Sequence, residues 1–515
     1  MSVSRPFLFV SVFLLCAADF LQSGMVAFAA TPIMGEIGAG PEEFSLVASI
    51  YACVAVVAIA EQQRLVERFG WRPYLACTTT VYVLGALVCA SSSDVVEFGA
   101  GRIIMALGGG AFMTSARILV TMDRPGPGRF TGVRFFASGL AGGTAAAPWL
   151  ASVAVINDAW PMMFYTLIGI AVAGTLAAIA CVPAGRPTHE PTSNLAPARL
   201  LLLAASAFFL LYLLQRSYYD FYSDTLVLLS FSAIAAFGIY TYVRIEHAHP
   251  APLLRVREVK SPRYLAGIAL FAMSYLLLGA NNYTIPNFLQ RGLGYSWEVT
   301  GQLESMGLLA CLVTWIVMSA LIPRSPALGK YLSLGLACLW AFGWFMSRLS
   351  PEADFYSHVL PPLLFNGCFI MLGLATAAVH TFAGLTHDDR LFAHGYQIKA
   401  IVAQLAMALG TSLATLILQW RSTVQYDHIG AYVDRGARTF LAGSDAIADV
   451  YAAYGMGERA HGTAMSTVAD DLARQATLVA GTEYFFAISL VAILAMVIML
   501  ARRILFRSPS ASSDP

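Results

Sequence analysis

Apolar runs of about twenty residues recur along the whole chain, separated by short polar joints, and this pattern leaves few folds open. Only 12% of the 515 residues are charged and 58% are hydrophobic. Soluble domains carry about 25% charged residues, so most of this chain does not meet water. In hydrocarbon an unpaired backbone amide or carbonyl costs several kcal/mol, which restricts spanning segments to helices or closed barrels. The runs are about 17–25 residues long, not ten-residue alternating strands, so helices are expected. The candidates are 7–29, 44–60, 73–92, 96–117, 131–155, 159–181, 199–215, 222–243, 264–285, 299–322, 329–347, 357–380, 393–420 and 482–503. An all-α polytopic membrane protein with about fourteen spans follows. The seventh run is the weakest, being short and closely followed by Arg216 and Asp220.

A formal charge of +1 gives no basis for a nucleic-acid partner. The eight cysteines (Cys16, Cys53, Cys77, Cys89, Cys181, Cys311, Cys338, Cys368) all fall in apolar runs without CxxC or His-paired spacing. They predict packing, with no disulfide framework, no metal site and no cofactor. Arg5, the run from Phe7 and Ala27-Phe28-Ala29 resemble a signal peptide with its cleavage site. Asp19, Gln22 and Ser23 interrupt that run, so a retained first helix is expected.

Positive charge in short joints marks the cytoplasmic side. Arg64, Arg68 and Arg72 fall in 61–72, Arg124 and Arg129 in 118–130. Arg244, Arg255, Arg257, Lys260 and Arg263 fall in 244–263, Arg324 and Lys330 follow the tenth run, and Arg502, Arg503 and Arg507 follow the last. The joints at 30–43, 93–95 and 156–158 hold no lysine or arginine. This alternation places both termini in the cytoplasm. Pro/Ser/Asn-rich composition at 183–198 and a second polar stretch at 244–263 mark linkers. The expected division is 1–182 as a six-helix bundle, 199–243 as two additional helices, and 264–515 as a second six-helix bundle with a long outer loop at 421–480. That loop is expected to hold one or two amphipathic helices over the outer mouth, because apolar and charged residues alternate at partly helical spacing.

A charge at mid-bilayer costs at least about 2.5–3.5 kcal/mol, which makes such residues functional candidates. Asp19 in the first run, Arg102 in the fourth, Glu304 in the tenth and Lys399 in the thirteenth are of this kind. Both signs occur in each half, so neutralising pairs are possible, and static ion pairs between helices are the alternative reading. A carboxylate alternately wetted from two sides can carry a proton, because burial raises its pKa and a neighbouring cation lowers it. Asn281, Asn282 and Tyr283, Asn366, Trp340 and Trp344 are candidate cavity residues, although interfacial belts are the commoner use of Trp.

Several stretches carry a family likeness. Glu61 to Arg72 resembles the major facilitator loop signature G-x-x-x-D-R-x-G-R-R, with Glu67, Arg68, Gly70 and Arg72 at its acid, basic and turn positions. Gln63 and Trp71 depart from it. Arg102 to Gly110 resembles R-x-x-Q-G-x-G-G-G, and Gly139 to Pro148, through Gly143, resembles the antiporter signature. Pro286 to Ser296, Gln425 to His428 and Gln475 to Phe485 are similar to C-terminal stretches of the fourteen-helix drug:proton antiporter subfamily, of the EmrB/QacA type. The resemblance covers nearly the whole chain. It implies a major facilitator fold of two six-helix bundles plus two extra central helices. It also implies gating by the loop of Glu67, proton transfer around Arg102, and export. The subfamily's first-helix motif L-D-x-T-I-V-N-V-A-L-P is not kept: counted back from Pro32, its acid position falls on Ser23 and its Asn position on Phe28. Asp19 lies one turn from Ser23, on about the same face.

The expected function is proton-coupled export of amphipathic organic compounds by an inner-membrane protein, with multidrug efflux as its broadest form, by rocking of two bundles around a midplane site. Its partners are a small-molecule substrate, protons and the bilayer, with the outer loop a candidate docking surface for a periplasmic adaptor. A dedicated exporter of one metabolite, such as a siderophore or antibiotic, is the alternative. A multispan enzyme would need clustered acidic residues in an aqueous loop, and His387-Asp388-Asp389-Arg390 is the one such cluster. A non-transporting sensor is the remaining reading.

Overall fold

The computed structural model describes residues 5–122, 126–182, 197–220, 224–249, 252–325, 327–385, 387–432 and 438–505. The expected linker 183–198 falls outside them up to 196, as do Arg124 and Arg507. All elements among the described residues are helical. Fourteen helices are long and apolar enough to cross a membrane. They are α1 (Arg5–Phe28), α2 (Pro41–Phe69), α3 (Trp71–Ser91), α4 (Val95–Met122), α5 (Gly128–Ile156), α6 (Met162–Cys181), α7 (Pro197–Leu214), α8 (Thr225–Ala248), α9 (Pro262–Gly292), α10 (Trp297–Leu321), α11 (Leu328–Met346), α12 (Phe355–Phe382), α13 (Asp389–Ala431) and α14 (Gly457–Ala501). Successive crossings define a near end, where α1 begins, and a far end.

Local chemistry sets the starts of these helices. Asp94 caps α4, accepting from the amides of Val96 and Glu97, both at 2.8 Å. Ser261 caps α9, Ser296 caps α10, and Asp354 caps α12. Each satisfies amides that the first turn leaves without partners. Gly70, at φ 87°, turns the chain from α2 into α3, a conformation that side chains other than glycine rarely adopt.

Packing follows one pattern twice. In the first six helices α1 packs on α4, α5 and α6, α3 on α4 and α6, and α2 on α4. Among the last six, α9 packs on α12, α13 and α14, α11 on α12 and α14, and α10 on α12. Moving eight helices along the chain maps one set onto the other. Two reciprocal seams join the sets, α5 against α10 and α2 against α13. The remaining pair stands outside this scheme: α7 and α8 pack together, and α7 also lies across α2 and α13. There Ala52 and Cys53 of α2 bury against Ala207 and Leu211 of α7, with Leu405 of α13 alongside. Arg199 and Glu246 join α7 to α8 at 2.9 Å, and Arg216, just past the far end of α7, pairs with Glu42 of α2 at 2.9 Å.

The ends of α2 and α13 and the start of α14 differ from expectation, whereas an amphipathic helix in 421–480 was expected. The joint at 61–72 is mostly helix, because α2 continues to Phe69 and Glu61 and Arg64 form a buried ion pair within it. The long segment 421–480 is helical over its described residues: α13 runs on to Ala431, an amphipathic helix covers Arg438–Ala453, and α14 starts at Gly457. Apolar-run reading underestimates such helices because their polar extensions carry no hydrophobic signal.

Candidate functional site

The polar centre of the molecule lies on α1 and the helices around it. Asp19 is 5% exposed, and its Oδ1 has no hydrogen-bond partner. It borders a small void with Phe20, Ser23, Met113, Tyr275 and Gln404. Tyr275 also lines a cavity of about 270 Å³ toward the near end. Ser23, Gln404 and Met407 also line a cavity of about 170 Å³ toward the far end. Asp19 therefore sits in the septum between two cavities. Ser23 turns its hydroxyl back on the Asp19 carbonyl at 3.1 Å, which leaves the carboxylate to the void.

The four intramembrane charges do not form ion pairs with one another. Arg102 donates to Gln22 Oε1 at 2.6 Å and stacks over the Tyr51 ring at 4.0 Å. Gln22 in turn donates to the Tyr51 hydroxyl at 2.8 Å. Lys399 is 2% exposed, donates to the Tyr275 hydroxyl at 2.9 Å, and lies 4.8, 4.6 and 5.1 Å from the rings of Phe271, Tyr275 and Tyr396. Glu304 is buried at the α5–α10 seam with its Oε2 unpartnered, and borders a small void with Asn282 and Pro148. A buried carboxylate without a cation is stable only when it can take up a proton or meet water or ligand.

The other expected residues separate into groups. Asn282 borders the Glu304 void and Tyr283 lines the far cavity. Asn281 instead donates to Asn366 at 2.9 Å and accepts from Tyr484 at 3.1 Å, a buried link between α9, α12 and α14. Trp340 and Trp344 stack at 6.3 Å on α11, which packs on α12 and α14, and neither lines the near or the far cavity. The Glu67 region sits at the near end: Glu67 accepts from Gln63 at 3.1 Å, Arg68 lies over Phe69, and Arg72 donates to the Val182 carbonyl at 2.7 Å. Gly139 and Gly143 let α5 lie against α1, since a Cβ there would come 2.4 Å from the Phe13 carbonyl oxygen and 2.7 Å from that of Ala17. Pro148 withholds an amide from that helix and lies opposite Gly301 of α10.

Several residues of the centre carry no functional mark in the sequence. Tyr51, Tyr275 and Gln404 are ordinary residues there, and Gln22 shows only as a polar interruption of the first run; their roles come from pairing across distant helices. Arg117, at the near end of α4, was not singled out from the sequence; it stacks over Phe392 at 4.6 Å. The cluster at 387–390 does not present free acids: Asp388 caps α13 through the amides of Arg390 and Leu391, and Asp389 pairs with Arg129 at 2.5 Å.

Fourteen crossing helices around a polar septum, with a cavity on either side, define a multi-pass membrane transporter. Residues 12–415 match the family model described as Major Facilitator Superfamily, and the chain belongs to that superfamily. It is 22% identical to the "Probable multidrug resistance protein EmrY" of Escherichia coli (strain K12), over 84% of each chain. It is 24% identical to the "Uncharacterized MFS-type transporter YhcA" of Bacillus subtilis (strain 168), over 82% of this chain and 78% of that one. Among solved structures, a POT family transporter in complex with a thioalcohol conjugated peptide superposes with a TM-score of 0.60 at 12% identity, covering 98% of this chain and 96% of that one. A bacterial homolog of the human lysosomal transporter Spinster superposes with a TM-score of 0.59 at 12% identity, covering 98% and 99%.

Proposed function

We propose that this chain is a proton-coupled exporter of amphipathic organic compounds, seated in the cytoplasmic membrane with both termini in the cytoplasm. The observation that carries the reading is the place of Asp19, a buried carboxylate in the septum between a near and a far cavity. Opening either cavity to water would wet Asp19 from that side. A proton taken up from one side and released to the other gives one charge movement per cycle. The moving units are 1–182 and 264–515, with 199–243 held between them as a strap over the α2–α13 seam. Names of relatives such as EmrY support multidrug efflux as the substrate range. The basic joints at the near end support a cytoplasmic placement of that end.

The test is substrate-driven proton flux in proteoliposomes under an imposed pH gradient. Asp19→Asn should abolish the flux while leaving the protein folded, because the amide keeps the size and loses the titrating group. Unchanged flux in that variant would move the coupling role to Glu304.

A further inference from the structure

The near cavity is the larger, and the charges among its described lining are two cations where the far one has Arg102, already engaged by Gln22 and Tyr51. Its wall is aromatic and aliphatic, with Phe136, Trp315 and Phe382 prominent. The charged residues among its described lining are Arg117 and Lys399, both positive. Neither has a carboxylate partner within ion-pair distance among the described residues. Arg117 stands over the rings of Phe392 and Tyr396 at 4.6 and 5.9 Å. Lys399 stands 5.1 Å from the same Tyr396 ring, so one headgroup beside that ring lies in the field of both cations. Ring faces attract a cation but do not neutralise it. Asp19 borders the adjoining void that shares Tyr275, which sets one negative charge near two positive ones. An apolar chamber with one uncompensated positive charge favours an anion with an apolar body.

We propose that the near cavity binds monovalent amphipathic organic anions, with a carboxylate or sulfonate held between Arg117 and Lys399 and an aromatic or aliphatic body against Phe136, Trp315 and Phe382. The substrate role of such anions rests on the exporter reading; their binding does not. A guanidinium offers paired donors to a carboxylate, and an ammonium adds a point charge. Asp19 is a like charge to the ligand, so it opposes binding while ionised.

Three compounds with one body separate charge from shape: naphthoate, naphthamide and naphthylmethylammonium. Equilibrium binding is measured on the whole protein in nanodiscs of zwitterionic lipid, which removes anionic headgroups as competitors. Naphthoate should bind at least about ten-fold more tightly than naphthamide, and the ammonium compound most weakly. Arg117→Gln and Lys399→Gln should each bring naphthoate toward the affinity of naphthamide, whereas Asp19→Asn should tighten it. Equal affinities for the three compounds, or preference for the cation, in the unsubstituted protein would overturn the proposal whatever the variants do. Anion preference without proton-driven flux upholds this site and sinks the exporter reading. Flux of all three without charge preference does the reverse.

Discussion

Arg102 shows how a single residue can be conspicuous while its role stays hidden. A guanidinium inside an apolar run marks itself, because its insertion is costly. Its partners do not. Gln22 and Tyr51 lie 80 and 51 residues away and are uncharged; the neutralising carboxylate that the sequence left possible gives way to an amide and a ring. Substituting Arg102→Leu leaves Gln22 Oε1 buried without its donor, which costs about 1–3 kcal/mol. Thermal unfolding in detergent should show that loss, and transport should fall with it. Replacing Gln22→Leu in the same chain should recover part of the stability, since both polar partners are then gone. If the double variant unfolds no later than Arg102→Leu alone, Gln22 is not the partner that matters. Asp19 was legible in the same way as Arg102. Its position between two cavities was not, because that depends on which side chains of α4, α9 and α13 close over it.

Helices were legible where hydrophobicity reports them and obscure where it stops. All fourteen apolar runs became spanning helices, yet α2, α13 and α14 continue well past theirs. The continuation of α2 carries Glu61 and Arg64 inward as a buried pair, which a loop would have left in water. Close approach of helices was foreshadowed by small residues but needed the structure to name partners. Gly143→Ala would place a methyl carbon 2.7 Å from the Ala17 carbonyl oxygen, forcing α5 away from α1. The expected cost is about 1–3 kcal/mol, as for other overpacked sites. Gly169→Ala, on the open face of α6 with nothing within 4 Å, is the matched control and should unfold no earlier than the parent. At the start of α13, the Leu391 amide and then that of Arg390 hold the Asp388 carboxyl below the usual carboxylate range. A depressed carboxylate stabilises its cap above the unfolded-state pKa, and this contribution disappears as pH falls through the lower folded-state value. Protection of the amides at the first turn of α13, relative to their intrinsic exchange rates, should therefore fall on acidification below about pH 4, and Asp388→Asn should flatten that dependence.

The whole molecule extends beyond the bilayer at its far end. At about 1.5 Å per residue, the 43 residues of α13 and the 45 of α14 each span more than about 60 Å, against about 30 Å of hydrocarbon. Arg474 of α14 donates to the carbonyls of Gly292 and Leu293, where α9 ends, so the chain N-terminal to it projects outward. The two extensions are tied at their base by Arg421 and Gln425, which both donate to Glu483; Gln425 and Glu483 belong to two separate motif fragments of the sequence. Helix Arg438–Ala453 packs on the α14 extension, away from the cavities. A short linker in place of this helix should therefore leave insertion, thermal stability and proteoliposome transport intact. Gly443→Cys, with nothing within 4 Å of a new side chain, should react with an impermeant maleimide from outside intact cells, while a tag after Pro515 stays protected. Labelling of both from one side would break the assignment of the far end to the exterior. Leu441, Val450 and Tyr454 are exposed on this projecting hairpin, and the adaptor docking expected at this segment is tested on the same variant. Export by whole cells should then fall in the linker variant although vesicle transport does not. Undiminished whole-cell export would exclude docking there, and a parallel loss in proteoliposomes would make the helix a lid on the transporter's own far cavity.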